Sequence, residues 1–371
     1  MGLSSSSFSP RIAACECLTA FGDTHATLSG LLADRCALTL TPVLGRAGGD
    51  LVPVALVEGR GYEETLPPEW MKHLAQLAER LPHRDWGTSR RPVMVTSSNF
   101  GVGALHAFRG TGNIAYLAHG TPFACVEAVS RHLGWGPQVT TFSHACVSAH
   151  LGLLHASRLL AADLADEVLV FSFDFLSPFV VGGFHALKIL NSERPAPYQD
   201  RATGSVGLGD GAAYAVLTRD RGDFLLAGQR LYNEMHHFTA NRPDGAGFEA
   251  CLGAMEDVTR GRRVWVKGHG TGTLEAGRLE STLLARAYPD SPLISWKGSL
   301  GHTLGSCGLV ELAIALAAIR GGRIPGTVGS TSPAFAPTVA LTSFPAAGYD
   351  SVLCTSNAFG GAHAALLACH A

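Results

Sequence analysis

Charge is scarce in this chain of 371 residues: Asp, Glu, Lys and Arg together make up 16% of it, against 46% hydrophobic residues. The formal net charge is only −2, so neither nucleic acid nor an anionic membrane surface is expected as a partner. A local basic patch, Arg260, Arg262 and Arg263, leaves room for an acidic protein partner. Regular cysteine spacing is lacking too. The nine cysteines are scattered; Cys15 and Cys17 stand too close together for a metal finger, and no second pair completes one. The expectation is a reduced, cytoplasmic protein with no metal. The most apolar window, residues 168–183, is broken by Asp174 and Pro178 and falls short of the roughly 20 residues a membrane-spanning helix needs. Residues 1–10 are serine-rich, with neither the basic nor the apolar region of a secretory signal. No Walker loop, zincin motif or Gly-x-Ser-x-Gly elbow is present, which removes three large classes of catalyst.

What is present is apolar sequence in an alternating order of elements. The length suits two domains or one duplicated one, and low charge with high apolar content points to an oligomer. A strand is expected over 11–21 and a helix to about 33, then an irregular segment over 39–62 and a helical pattern over 69–80. Further strands are expected over 92–97, 167–173 and 212–217, with a helix over 122–133 closed by Gly134-Trp135-Gly136-Pro137. The pattern then restarts: helix 247–259, strand 264–266, helix 280–288, strand 293–296, helix 309–320, and strands 351–355 and 363–368. Strands alternating with helices twice over suggest an α/β fold of two similar halves, residues 1–221 and 222–371.

One stretch carries the strongest chemical signal. A β-branched run through Thr140, Thr141 and Phe142 stops at Ser143-His144-Ala145-Cys146, and an alanine- and leucine-rich run follows from Leu151. This order puts Cys146 on the first turn of a helix, where unpaired N–H groups and the helix dipole favour a thiolate. A cysteine there is equally at home as a small buried side chain, and reactivity requires a base. Two glycine-rich loops, each directly after an expected strand, present one histidine apiece. They are Lys267-Gly268-His269-Gly270-Thr271-Gly272-Thr273 and Lys297-Gly298-Ser299-Leu300-Gly301-His302. Strand ends are where α/β sheets place their sites, and glycine lets backbone approach a ligand closely.

Taken in order, these motifs resemble the β-ketoacyl-acyl-carrier-protein synthases, condensing enzymes of the thiolase superfamily. The resemblance runs through Leu133-Gly134-Trp135-Gly136-Pro137, Ala145-Cys146-Val147-Ser148 and Gly183-Phe184-His185-Ala186-Leu187. It continues through Pro195 to Arg201, Gly207-Leu208-Gly209-Asp210-Gly211-Ala212 and His269-Gly270-Thr271-Gly272-Thr273. Lys297, Gly301-His302, Glu311 and Ser356-Asn357-Ala358-Phe359-Gly360-Gly361 close the series. It implies a thiolase-like fold, two α/β halves layered α-β-α-β-α, and a Cys–His–His site. Cys146 would carry an acyl group as a thioester, and His269 and His302 would assist decarboxylation of a malonyl carrier. The backbone N–H groups of Cys146 and Phe359 would form the oxyanion hole. Lys297 would orient the site and pair with Glu311, Thr271 and Thr273 would hold the pantetheine arm, and Phe359 would gate the acyl pocket. No bound cofactor is implied, since substrates arrive on the phosphopantetheine of acyl-carrier protein or on coenzyme A. A dimer is implied, with an identical chain or with a synthase-like subunit, and residues 167–173 with the apolar stretch that follows them are the expected contact.

The chain also departs from the family pattern. Gly277 falls where an aspartate is usual, while Glu280 keeps the second acidic place; the closing loop has one phenylalanine, Phe359, where two are usual. His144 and His150 are unusual neighbours of Cys146, with a structural role the simpler expectation for His144. Gly207-x-Gly209-x-x-Ala212 matches a dinucleotide fingerprint only superficially, because 212–217 reads as strand where a helix is needed. A chain-length-factor subunit would lack the cysteine. A thiolase would want a second cysteine in a glycine-rich loop, and neither Cys354 nor Cys369 sits in one.

Overall fold

A computed structural model describes residues 8–43, 49–61, 63, 66–237 and 239–371. The serine-rich residues 1–7, and Gly45, Gly48 and Tyr62 of the segment expected to be irregular, lie outside them. Ten strands follow one another: β1 (Arg11–Thr19), β2 (Val93–Thr96), β3 (Val139–Phe142), β4 (Glu167–Asp174), β5 (Gly211–Thr218), β6 (Phe224–Asn233), β7 (Val264–Lys267), β8 (Leu293–Ile294), β9 (Ser351–Ala358) and β10 (Ala362–His370). They form an 11-stranded sheet in the order β8-β7-β9-β10-β6-β1-β5-β4-β2-β3, with the two-residue strand Gly22–Asp23 paired onto β1.

That path contains one pattern twice. From β1 outward, β5 is antiparallel to β1, β4 antiparallel to β5, and β2 and β3 parallel extensions beyond them. From β6 outward, β10, β9, β7 and β8 repeat the same sequence of directions and the same order along the chain. The two sets touch through β1 and β6 by only two residue pairs, Arg11 with Leu225 and Ile12 with Phe224.

Three helices matter for the site: α1 (Ser148–Ala161), α2 (Leu274–Ala287) and α3 (Cys307–Arg320). Helix α3 is buried from Cys307 to Leu316 without a polar face, the signature of a helix enclosed on all sides. It packs on β1 and β5 of one set and on β9 of the other, while α1 packs on β4 and β2 of one set and on β6 of the other. Both therefore lie between the two sets of strands. The helices Pro67–Ala78 and Pro122–His132 cover one outer face, and Ala246–Gly253 and α2 the other. The layers run α-β-α-β-α, as the resemblance implies. Small side chains permit this closeness: a Cβ on Gly152 of α1 would stand 2.5 Å from Thr96 of β2. Strands enclosed by helices on both faces read as continuous apolar runs, and all eight residues of β4 and of β5 are buried.

Several sequence expectations give way. Within 39–62, Thr39–Pro42 pairs antiparallel with Leu51–Ala55, and Val54 and Ala55 pair in turn with Leu208 and Gly209; Pro42 and Pro53 conceal these strands from a pattern reading. The helix expected over 280–288 starts six residues earlier, at Leu274, with Glu275 in its first turn. Strand β6 falls in a stretch to which the sequence pattern assigns no element. Residues 167–173 have no free edge for a partner strand, because β4 is hydrogen-bonded to β2 on one side and β5 on the other. The open edge is β3, which pairs only with β2 among the described residues.

Candidate active site

Cys146 lies in the loop between β3 and α1. It does not sit on the first helical turn: α1 begins at Ser148, and Val147 is its cap. The turn before it is sharp. Ala145 has φ +45°, a left-handed conformation that a residue with a Cβ adopts only under constraint. Ser148 supplies part of that constraint, accepting from the His144 N–H at 2.7 Å and donating to the Ala145 carbonyl at 2.7 Å. The thiol is 8% exposed, and burial pushes its pKa far above the ordinary cysteine value, with Cys307 adding to the rise and Lys297 opposing it. The expected dipole-favoured thiolate is overturned by desolvation, which disfavours the charged form.

An imidazole lies against the thiol. His302 Nε2 lies 3.0 Å from Cys146 Sγ, and the His269 ring stands edge-on to His302, centroids 5.0 Å apart at 88°. Both imidazoles are held well below the usual histidine range, by burial first and then by Lys297 and Lys267, with His302 a further influence on His269. At neutral pH the free site therefore holds a thiol in contact with an uncharged imidazole. The His302 loop is fixed by the first half of the chain: the His302 N–H donates to the Gly207 carbonyl at 2.7 Å, and the Gly209 N–H donates to the His302 carbonyl at 3.0 Å. Gly301 takes φ +72°, and a Cβ there would stand 2.5 Å from the Leu208 carbonyl. The 207–209 stretch thus braces the His302 loop.

The His269 loop is held by Glu280 of α2, whose carboxylate accepts from the N–H groups of His269 and Gly270 and from the Tyr198 hydroxyl at 3.1 Å. Thr271 and Thr273 lie on the same loop, half-buried, with their hydroxyls 3.2 Å apart. Behind the histidines, Lys297 Nζ sits 2.6 Å from Glu311 Oε1, the pairing the resemblance implies. Glu311 Oε2 takes a second ammonium, from Lys267, and all three groups are buried. Burial pushes the Glu311 carboxyl up, but the two lysines outweigh it and hold the group below its ordinary value. Phe359 occupies the turn between β9 and β10, half-buried and stacked on Phe184 at 5.8 Å and 27°. Ala358, one residue before it, shares a buried cluster with Cys146 and Cys307.

His150 is buried on α1 against Gly308 of α3, where a Cβ would strike its ring at 2.4 Å; burial and the nearby lysines lower its pKa to about 4. His144 contributes its backbone to the Ser148 clamp. Four residues with a part in this architecture have no role assigned from sequence: Ser148, Tyr198, Lys267, and Asp174, whose carboxylate accepts from the Ser97 hydroxyl and the Ser306 N–H. Lys267 had a signal, a lysine closing an apolar strand one residue before a glycine–histidine pair. The ligand atoms of Cys146, His269 and His302 lie within 4.8 Å of one another, close enough for a metal on spacing alone. The lysines behind them disfavour a dication.

Fold and site together define a thiolase-like α/β protein with a buried Cys–His–His centre. Residues 225–331 match the family model "Beta-ketoacyl synthase, C-terminal domain". The chain is 27% identical over 259 residues to 3-oxoacyl-[acyl-carrier-protein] synthase 2 of Coxiella burnetii, covering 62% of this chain and 61% of that protein. It is 32% identical over 268 residues to the tetracenomycin polyketide synthase ketoacyl synthase alpha subunit of Streptomyces glaucescens, covering 63% and 61%. In fold it matches a ketosynthase–chain length factor complex from Xenorhabdus doucetiae, with a TM-score of 0.79 and 20% identity over 100% of both chains. Over residues 225–331 the chain is thus similar to the β-ketoacyl synthases, and in fold to the thiolase-like ketosynthases. The matched stretch spans about three fifths of the length of these curated relatives. Among the described residues no helix is long and apolar enough to cross a membrane.

Proposed function

We propose that the chain is a β-ketoacyl synthase that performs a decarboxylative Claisen condensation, in fatty-acid or polyketide biosynthesis. The observation that carries this reading is the 3.0 Å contact of His302 Nε2 with Cys146 Sγ, with His269 edge-on beside it. His302 takes the thiol proton as Cys146 attacks an acyl thioester; the S–C bond to Cys146 forms, the acyl–carrier C–S bond breaks, and His302 returns the proton to the departing carrier thiol. This answers the raised thiol pKa, because the thiolate is needed only as it attacks. Malonyl-carrier then loses carbon dioxide, and its second carbon attacks the Cys146 thioester. A C–C bond forms, the Cys146 C–S bond breaks, and 3-oxoacyl-carrier leaves. Neutral imidazoles suit this step, because each can donate one N–H to the developing enolate oxygen. The N–H groups of Cys146 and Phe359 serve as the oxyanion hole, and Thr271 and Thr273 grip the pantetheine arm. Lys297 and Glu311 hold the charge behind the histidines, and Glu280 holds the His269 loop.

The partners that fit are an acyl-carrier protein and a second synthase-like chain, identical or not, added along the open edge of β3. No resident cofactor is required, because the phosphopantetheine travels with the substrate. Residues 1–221 would supply the nucleophile and 222–371 the histidines. A chain-length-factor role is disfavoured by the Cys–His contact, which such a subunit does not need. Incubation with acyl-carrier protein bearing a labelled acyl group, followed by peptide mass spectrometry, should place the label on Cys146. Cys146→Ala should lose both the label and 3-oxoacyl formation; unchanged product from Cys146→Ala would sink the mechanism.

A further inference from the structure

Lys267 has no part in the chemistry above, yet burying it is costly. It closes β7 with 0% exposure, and its ammonium is paired with Glu311 Oε2 while Lys297 takes Oε1. Among the described residues Glu311 is the ion-pair partner of both lysines. One carboxylate balances one ammonium. If the arrangement served stability alone, an apolar side chain at 267 would avoid the desolvation of a second cation and leave the Lys297–Glu311 pair intact. The extra charge lies behind the histidine loops, on the strand that runs straight into His269.

We propose that Lys267 is a positioning residue of the condensing site. By sharing Glu311 with Lys297 it adds a buried positive charge that keeps His269 and His302 uncharged and eases proton release from the Cys146–His302 pair. Its purpose rests on the condensing reading above; its test does not.

The other charged and titratable groups around the site come from each surrounding element. Lys297 comes from the short helix Lys297–Leu300, His150 from α1, Glu280 from α2, Glu311 and Cys307 from α3. Asp174 ends β4 and Cys354 lies in β9. Burial pushes both Glu280 and Asp174 above their ordinary range, so they offset the surplus only in part. Glu280 is also committed to the His269 backbone. Burial lowers the imidazoles, with both lysines next in effect after it on His302. The sign does not depend on which atom carries the proton. Removing a nearby positive charge makes proton loss harder for the Cys146–His302 pair as a unit.

The experiment is the pH dependence of Cys146 alkylation by iodoacetamide in the full-length protein, followed by intact-mass spectrometry. It needs neither acyl carrier nor malonyl substrate, so it stands whether or not the protein condenses them. Lys267→Gln keeps a donor for Glu311 and removes the charge. Its acid limb should move up by about one pH unit, slowing alkylation about tenfold at pH values below the limb. Lys267→Arg keeps the charge and should retain the wild-type limb. A folded Lys267→Gln with an unmoved limb, or a Lys267→Arg limb displaced as far as that of Lys267→Gln, overturns the proposal. Should Lys267→Gln not fold, Lys267→Met takes its place with the same expectation and the same overturning result.

Discussion

The two sets of five strands share one topology and divide the labour unequally. In the first, the loop after β3 carries Cys146 and the loop after β2 carries Ser97, Ser98 and Asn99. In the second, the loop after β8 carries Lys297 and His302, and the loop after β7 carries His269. The buried anchors differ as sharply. Asp174 organises the first set with no ion-pair partner among the described residues. Its Oδ1 accepts from the Ser97 hydroxyl at 2.7 Å and the Asn99 N–H at 3.0 Å, and its Oδ2 accepts from the Ser306 N–H at 3.0 Å. Burial pushes its carboxyl up to about 7 against those donors. The second set has two carboxylates and two lysines, with Glu311 between the ammoniums. One set presents Cys146 from a strained turn, and the other surrounds it with buried charge. A site where negative charge develops needs the second to be cationic and leaves the first free to be neutral.

The strongest way to break this division is Glu311→Ala. It leaves two buried ammoniums without a counter-charge, which costs about 3–5 kcal/mol of stability, and condensation should be lost with it. Urea denaturation measures the first and product formation the second. A variant as stable as the parent would mean that the lysines find water, contrary to their 0–1% side-chain exposure.

That charge cluster also marks the limit of what the sequence makes legible. The alternation of apolar strands and helices, the strand-then-glycine context of both histidines and the cysteine between strand and helix are local patterns, and the structure assembles them as read. The Lys297–Glu311 pair was accessible through resemblance. Lys267 on the other carboxylate oxygen was not, because residues 267 and 311 meet only when β7 and α3 pack. Cys146 shows the converse failure. Its neighbours along the chain suggest a thiolate, whereas its neighbours in space remove it from water. Strand β6 escaped because its outer end alternates weakly, with Arg230, Tyr232 and Asn233 at or near the surface.

A smaller effect is expected from the neutral side of the comparison. Asp174→Ala strips the acceptor from the donors that tie β4 to the 97–99 loop and to Ser306 of the second set, at a cost of about 3 kcal/mol. Because the folded carboxyl titrates at about 7, above its ordinary value, the stability it contributes is fully present at low pH. That contribution is lost as pH rises from the ordinary carboxylate range through about 7. The gap between parent and variant in denaturant midpoint should therefore be wider at pH 5 than at pH 8. A gap that widens with pH would show that the donors hold the carboxylate ionised throughout.

The smallest effect sharpens the comparison where the two sets touch above the site. Phe359 belongs to the β9–β10 turn and stacks on Phe184 of the helix Pro178–Ala186. A stacked pair adds about 1 kcal/mol beyond its buried area, so Phe359→Ala should leave the fold intact and lower thermal stability only slightly. The effect belongs in substrate choice. With the ring gone, the space between the turn and the helix opens beside Ala358, which packs in the same cluster as Cys146. Longer or bulkier acyl groups should then compete better for the cysteine, shifting their ratio to short ones by about tenfold or less, as one apolar contact allows. A mixture of acyl-carrier proteins offered to parent and variant, with the thioesters on Cys146 weighed by mass spectrometry, reads that ratio directly. An unchanged ratio would remove Phe359 as a gate.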